Sequence, residues 1–239
     1  MTRLALSVPL LVAALTLAGC SGDESASAEP SPEPSVLDAA GLLTLSQETL
    51  ATTESVHYVL TSSDVPEGVT ALLSGEGDAA RPDSFAGDLD VVLAGLNATV
   101  AVISVGGTLY AQLPFATGYT ATDPATIGIA DPGELLADDG GINGLLAAAT
   151  EPSEGAESRV AETVVRQVEV TLPASAVADV LTAADAEGTF TAVLGIDEET
   201  GRLLRAELVG PFLAVETDST YVIELSAYDE PVEITAPTP

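Results

Sequence analysis

The chain holds a single cysteine, Cys20, at a position where a thiol can be acylated. Leu17, Ala18 and Gly19 precede it, and an apolar residue, two small residues and a Cys form a bacterial lipobox. The small side chains suit a signal peptidase. The thiol is the nucleophile that takes a diacylglyceryl group, and cleavage then leaves Cys20 as the first residue. Upstream, Arg3 supplies the one positive charge and residues 4–17 an apolar run, which together read as a secretory signal over residues 1–19. That run is shorter than the ~20 residues a spanning helix needs. Lipid on Cys20 would be the membrane anchor, since each buried methylene contributes about 0.8 kcal/mol and two chains hold where one does not.

Other candidate chemistry is sparse. His57 is the only histidine and lies in a strand-like run, where a packed or surface imidazole is the ordinary reading. No Gly-x-Ser-x-Gly elbow supplies a serine nucleophile, and a zinc site lacks ligands. Asp88 with Asp90, or Asp138 with Asp139, offers carboxylates for Ca²⁺, but without EF-hand spacing most acids read as solvated surface. Asn97-Ala98-Thr99 matches a glycosylation sequon by chance composition. Arg159, Arg166, Arg202 and Arg205 are scarce cations; one could meet an anionic headgroup, while pairing with nearby Glu or Asp is the simpler fate. No catalytic set, metal or cofactor is expected.

Charge narrows the partners. Six Lys and Arg, all of them Arg, stand against 37 Asp and Glu, for a net charge of −31. Nucleic-acid binding is excluded, because phosphate contacts need Lys and Arg, and flat binding to an anionic membrane is disfavoured. Arg without Lys, in a chain rich in Ala, Val and Gly, is associated with GC-rich actinobacterial genomes. Apolar residues make up 46% of the chain and aromatics only 4%, so aliphatic packing must carry stability without disulfides.

The elements that would position any site follow from composition and period. Residues 20–35, rich in Ser, Glu and Pro after the Cys, cannot bury enough apolar surface to fold and read as a tether. Pro-rich chain of this length reaches roughly 45 Å. Residues 36–239 then form one domain. A helix is expected over 36–53, with Leu42, Leu45 and Thr49 on one side. Strands follow at 56–62, 70–79, 84–93, 98–105 and 108–113, with Gly- or Pro-containing breaks, as in an antiparallel meander. Alternation is clearest at Asp88-Leu89-Asp90-Val91-Val92-Leu93. Asp131, Pro132 and Glu134 form a helix start, and Ile142, Leu145, Leu146 and Ala149 keep helical spacing. One strand is expected over 159–172. A helix opened by Pro173 carries Val177, Val180, Leu181 and Ala184 on one face. Three strands close the chain, at 188–196, 202–208 and 220–228. The fold class is α+β: one large, curling antiparallel sheet with helices gathered on one face.

The stretch Val105-Gly106-Gly107-Thr108-Leu109-Tyr110-Ala111-Gln112-Leu113-Pro114 is familiar. So are Tyr119, Asp123-Pro124-Ala125, Gly128, Asp131-Pro132, Leu135-Leu136, Gly144-Leu145-Leu146, Ser55-Val56-His57-Tyr58-Val59-Leu60-Thr61 and Leu73-Ser74-Gly75-Glu76-Gly77. Taken in order over residues 37–235, with the lipobox and tether, they resemble the LppX/LprA/LprF/LprG family of mycobacterial lipoproteins. The resemblance implies a curved half-barrel like that of the Lol lipoprotein carriers. Helices would pack over its concave face around an apolar cavity for the acyl chains of triacylglycerol or triacylated glycolipids. It implies lipid transport through the cell envelope from the outer face of the cytoplasmic membrane, for one group beside a major-facilitator exporter. This chain is more acidic than the family pattern, and Asp138-Asp139-Gly140-Gly141 departs from it, so the lipid is left open.

If a cavity exists, strand parity selects its wall. Leu89, Val91 and Leu93 face inward, continued by Ala98, Val100 and Val102 and by Leu109, Ala111 and Leu113. Ile142, Leu145, Leu146, Val177, Val180 and Leu181 would close it from the capping side. The alternative is that the same residues simply fill a core. Three functions therefore stand: a lipid carrier, an enzyme of envelope lipids, which lacks a nucleophile and base, and an accessory or scaffold partner of an envelope transporter that binds no lipid itself.

Overall fold

A computed structural model of the chain describes residues 37–93, 95–127, 129–181 and 188–237. The signal segment, Cys20, the tether and Ala184 lie outside the described residues. The first helix, α1 (Ala39–Thr52), starts where Asp38 accepts a hydrogen bond from the Gly41 amide (2.8 Å). Its buried face is Ala39, Leu42, Leu43, Ser46 and Leu50 rather than the expected Leu42, Leu45 and Thr49. Leu45 and Thr49 are instead half-buried under the turn at Asp197–Gly201, where Thr49 donates to the Thr200 carbonyl (3.0 Å). Gly201 (φ +72°) lies so close there that a Cβ would meet Thr49 Oγ1 at 2.5 Å. Arg81 closes the other end of α1, donating to the carbonyls of Thr53 (2.7 Å) and Leu50 (3.1 Å) while pairing with Asp138.

Five strands run as a meander: β1 (Ser55–Ser63), β2 (Ala71–Ala80), β3 (Ser84–Leu93), β4 (Leu96–Val105) and β5 (Thr108–Gln112). A two-residue strand, β6 (Thr120–Ala121), pairs with β5. The expected helix start at Asp131 is a single 3-10 turn, Pro132–Glu134, capped by the Asp131 carboxylate on the Gly133 amide (2.9 Å). A further 3-10 turn, Pro124–Ile127, precedes it, and α2 (Gly141–Ala147) follows.

The one strand expected over 159–172 is two, β7 (Thr150–Val160) and β8 (Thr163–Pro173), joined at Ala161 and Glu162. β7 is an edge strand wetted on both faces, so it carries no apolar alternation. The helix after Pro173 is one turn, α3 (Ala174–Val177). Then come β9 (Thr189–Ile196), β10 (Leu203–Ala214) and β11 (Thr217–Ser226). β10 runs past the expected end because an irregularity between Gly210 and Ala214 absorbs Pro211.

All pairings are antiparallel and build one curved, unclosed sheet of eleven strands, ordered β6-β5-β4-β3-β2-β1-β11-β10-β9-β8-β7. β1 meets β11 (His57 opposite Ser226, Leu60 opposite Ile223) and so joins two meanders. α1 packs on β7, β8 and β9, α3 on β8 and β9, and the Pro132–Glu134 turn on β2, β3 and β4. Leu37–Pro239 clusters as one compact unit.

Inner-face glycines make room for the large side chains. Gly75 and Gly77 on β2 lie beneath Leu89 and Phe85, where Cβ atoms would come within 2.6 and 2.7 Å of them. At Gly210 a Cβ would meet the Phe190 ring at 2.3 Å, and Phe190 packs tilted against Phe212, which packs edge-on against Tyr221 (ring centroids 4.7 Å apart in each pair). Gly210→Ala should therefore destabilise the fold by about 1–3 kcal/mol through overpacking. Gly118→Ala, with open space around it, should stay within about ±0.5 kcal/mol. Urea unfolding of both variants checks the contrast.

Candidate functional site

The inner face contains an apolar cavity astride the seam between the two meanders. Tyr58 of β1, Leu72 of β2, Phe85 and Leu89 of β3 and Tyr221 of β11 line it from the sheet. Ile129 to Pro132 with Leu135, and Asp179 to Leu181, line it from the capping side. The space between these side chains totals ≈ 530 Å³ with the mouth included. The apolar cavity that the resemblance implied is present on the inner face, and among the described residues its interior is narrow.

Three of the fifteen expected wall residues, Leu89, Val180 and Leu181, line this cavity. Val91, Val100, Val102, Leu109 and Ala111 are buried inward as their alternation requires, and Leu93 and Ala98 pack partly buried against the same core. Leu113 is a correction: it is 45% exposed. β5 ends at Gln112, and the chain turns away through Pro114 and a fully exposed Phe115 at φ +69°. Ile142, Leu145, Leu146 and Val177 are buried, but α2 packs mainly beside α1, where Gln47 donates to the Leu146 carbonyl (2.8 Å). Parity misses Tyr58, Leu72, Phe85 and Tyr221. The alternation Val56, Tyr58, Leu60 marked Tyr58 as inward, but nothing local placed β11 beside β1.

The two tyrosines differ in what their hydroxyls do. Tyr221 donates to the Leu72 carbonyl at 2.9 Å. The Tyr58 hydroxyl donates to none of the described residues, although Tyr58 is only 5% exposed and its ring packs edge-on to Phe85 (6.1 Å). Burial, with Tyr221 nearby, pushes the Tyr58 phenol well above its ordinary value, and burial pushes Tyr221 up to about 12. Both are therefore neutral donors at physiological pH.

The remaining chemical candidates sit elsewhere. His57 is half-buried on the outer face, its Nδ1 2.8 Å from Asp78 and its Nε2 3.5 Å from Glu76. Hydrogen bonds from Thr99 (2.6 Å) and Ser74 (2.9 Å) hold the Asp90 carboxyl below the usual carboxylate range. Among the described residues no cluster of three or more His, Cys, Asp or Glu is arranged to hold a metal. Arg166 pairs with Glu198 (3.0 Å), Arg202 with Asp229 (3.6 Å) and Arg205 with Glu207 and Glu224 (3.0 and 2.8 Å). Arg159 donates to the Glu162 carbonyl (2.8 Å). None of these arginines lines the cavity.

Removing each hydroxyl should have opposite consequences. Tyr221→Phe strands the buried Leu72 carbonyl and should cost about 1–3 kcal/mol. Tyr58→Phe breaks no bond to a described residue and should leave stability within about 0.5 kcal/mol or raise it. Leu89→Trp should cost about 1–3 kcal/mol, since the space beside Leu89 is too small for an indole. Thermal melts of the three variants at one pH read all three effects.

A sequence model of the LppX_LprAFG lipoprotein family matches residues 38–234. The chain is 27% identical over 235 residues to the lipoarabinomannan carrier protein LprG of Mycolicibacterium smegmatis, covering 95% of this chain and 93% of that one. The crystal structure of LprF from Mycobacterium bovis superposes with a TM-score of 0.70 at 20% identity, covering 84% of this chain and 97% of LprF. LppX from Mycobacterium tuberculosis gives 0.59 at 19%, covering 82% and 99%. These solved structures speak to the fold, and the sequence match runs through both meanders and every segment lining the cavity: the chain belongs to the LppX_LprAFG lipoprotein family.

Proposed function

We propose that this protein is a membrane-anchored lipoprotein that binds acylated lipids or glycolipids between its sheet and the capping segments and carries them across the cell envelope. One observation carries the reading: in a family of lipoproteins, the inner face is apolar across both meanders and is covered, over the cavity, by very short elements. The 3-10 turn at Pro132–Glu134 and the four-residue α3 are too short to be stable alone. They hold their places by packing, so they can lift from the sheet without breaking a strand pairing. Lifting them would uncover Leu89, Val91, Val100 and Val102 as a continuous groove. That burial must replace the order of 10 kcal/mol lost when a long acyl chain leaves a membrane, at about 0.8 kcal/mol per methylene. The name of the LprG relative, a carrier of lipoarabinomannan, supports the same reading. Lipid on Cys20 and the tether over residues 20–35 would hold the domain at the outer face of the cytoplasmic membrane.

The close packing around the cavity favours a second reading, a scaffold beside an envelope exporter that binds no lipid itself. Cys20→Ser protein separates the two, because it carries no anchor lipid. Mass spectrometry of its organic extract should find long-chain lipid in a reproducible ratio to protein. Clean extracts, with no uptake from lipid vesicles, would favour the scaffold. The same variant should leave the membrane fraction for the soluble one; its retention in membranes would overturn the lipobox reading.

A further inference from the structure

We propose that the uncharged loop after β5 docks on the surface of a lipid bilayer, with Leu113, Phe115 and Tyr119 set into the headgroup boundary. The proposal rests on the membrane-anchored reading above and adds the face that meets the bilayer. Residues 91–122 hold no Asp, Glu, Lys, Arg or His, the longest uncharged stretch in a chain whose net charge is −31. Of the seven large apolar side chains exposed among the described residues, Leu96, Leu113, Phe115 and Tyr119 fall in that stretch. β5 runs antiparallel to β4 with Gln112 opposite Ala101, so the chain beyond Gln112 leaves the sheet toward the end where β4 begins at Leu96. Residues 113–121 are all exposed, and Thr235 to Pro237, beside Tyr119, carry no charge either. Exposed apolar side chains gathered on an uncharged face mark an interaction site.

The loop is held in shape. The Ala116 amide donates to the Leu113 carbonyl (3.0 Å), and the Gln112 side chain donates to the Ala116 carbonyl (3.3 Å). Phe115 stands between them at φ +69°, a conformation that bulky residues rarely adopt, with its ring fully exposed. A bilayer supplies the burial that the domain withholds. It also suits the size of the patch. A stable protein interface takes about 20–30 residues a side. A tether over residues 20–35 would instead hold the loop at high effective concentration over the membrane, so that a few side chains suffice. Charge disfavours the acidic faces, which anionic lipids repel. The backbone of an irregular loop needs water or headgroup partners, which keeps the insertion at the boundary and out of the hydrocarbon. From this loop the chain runs on through β6 and the turn at Pro124–Ile127 to Ile129, which lines the cavity, so docking brings the cavity's cover next to the bilayer.

The chain has no tryptophan, so Phe115→Trp in the Cys20→Ser background places a single indole at the loop. Val215→Trp, exposed beside Glu216 and Asp218, is the matched control. Each protein is mixed with phosphatidylcholine vesicles, plain or containing phosphatidylglycerol, that carry quencher-labelled lipids. Emission from position 115 should shift to the blue and be quenched more by labels near the glycerol than by labels at the chain ends. Emission from position 215 should not change. Binding should be weaker on the anionic vesicles at low salt and recover as salt screens the repulsion. In vesicle sedimentation, Leu113→Ser with Phe115→Ser should lower the partition constant by roughly tenfold or more, as the loss of one large buried apolar side chain predicts. The melting temperature should not fall, since both side chains are exposed. No shift at position 115, an equal shift at position 215, or unchanged sedimentation of the double-serine variant would overturn the docking inference. In any of these cases, recovery of Cys20-bearing protein in the membrane fraction would leave anchoring standing, and its recovery in the soluble fraction would overturn anchoring as well. A blue shift that grows with protein concentration and needs no lipid would overturn the proposal in favour of a second copy of the chain.

Discussion

β1 hydrogen-bonds to β11 across most of the length of the chain, and this seam makes one sheet out of two meanders. Each meander alone would leave an unpaired strand edge at the centre of the molecule and half an inner face without its neighbour. The cavity depends on the same seam. Tyr58 stands opposite Leu225 across it, and Ser62 stands opposite Tyr221, so the two tyrosines that line the cavity are brought together only when the halves join. Loop-closure entropy grows slowly with length, so this long-range pairing costs little more stability than a nearer one would. Its cost falls on folding rate, as expected for a sheet closed by non-local contacts.

The sheet is open, and its two free edges are protected differently. β6 is only two residues long. β7 is long but wet on both faces, carries Glu151, Glu154 and Glu157, includes Pro152, and shifts register twice against β8. Charge, proline and bulging all discourage another strand from adding there. The same acidic surface repels itself. Without a disulfide, stability has to come from the interior, which explains why the inner face is packed down to glycine contacts at Gly75, Gly77 and Gly210.

That packing bears on how an interior of this type can serve binding. The cavity between sheet and cap is lined closely by apolar side chains, and the pieces that cover it there are short. A filled interior avoids the cost of an empty apolar cavity, which grows with its volume. The Ser46 and Ser104 hydroxyls are exceptions to economy, buried with no partner among the described residues, and an unpaired buried polar group costs stability.

The residues alone determined the strands whose side chains alternate and the turns between them. Residues 84–93 match β3 at both ends because Leu89 and Val91 face a core while Asp88 and Asp90 face water. Inward facing at Val100, Val102, Leu109 and Ala111 followed from the same period of two. The order of family motifs was equally legible, since each motif is a local pattern. Tertiary structure decided the rest. β7 was invisible because an edge strand with two wet faces needs no apolar period, and Leu113 misled because parity says nothing about where a strand stops. The half-burial of Leu45 and Thr49 on α1 was set by the turn at Gly201, far along the chain. The pairing of β1 with β11 and the cavity it brings together could not be read from any window of sequence. Each is a property of side chains that meet only after distant strands have paired.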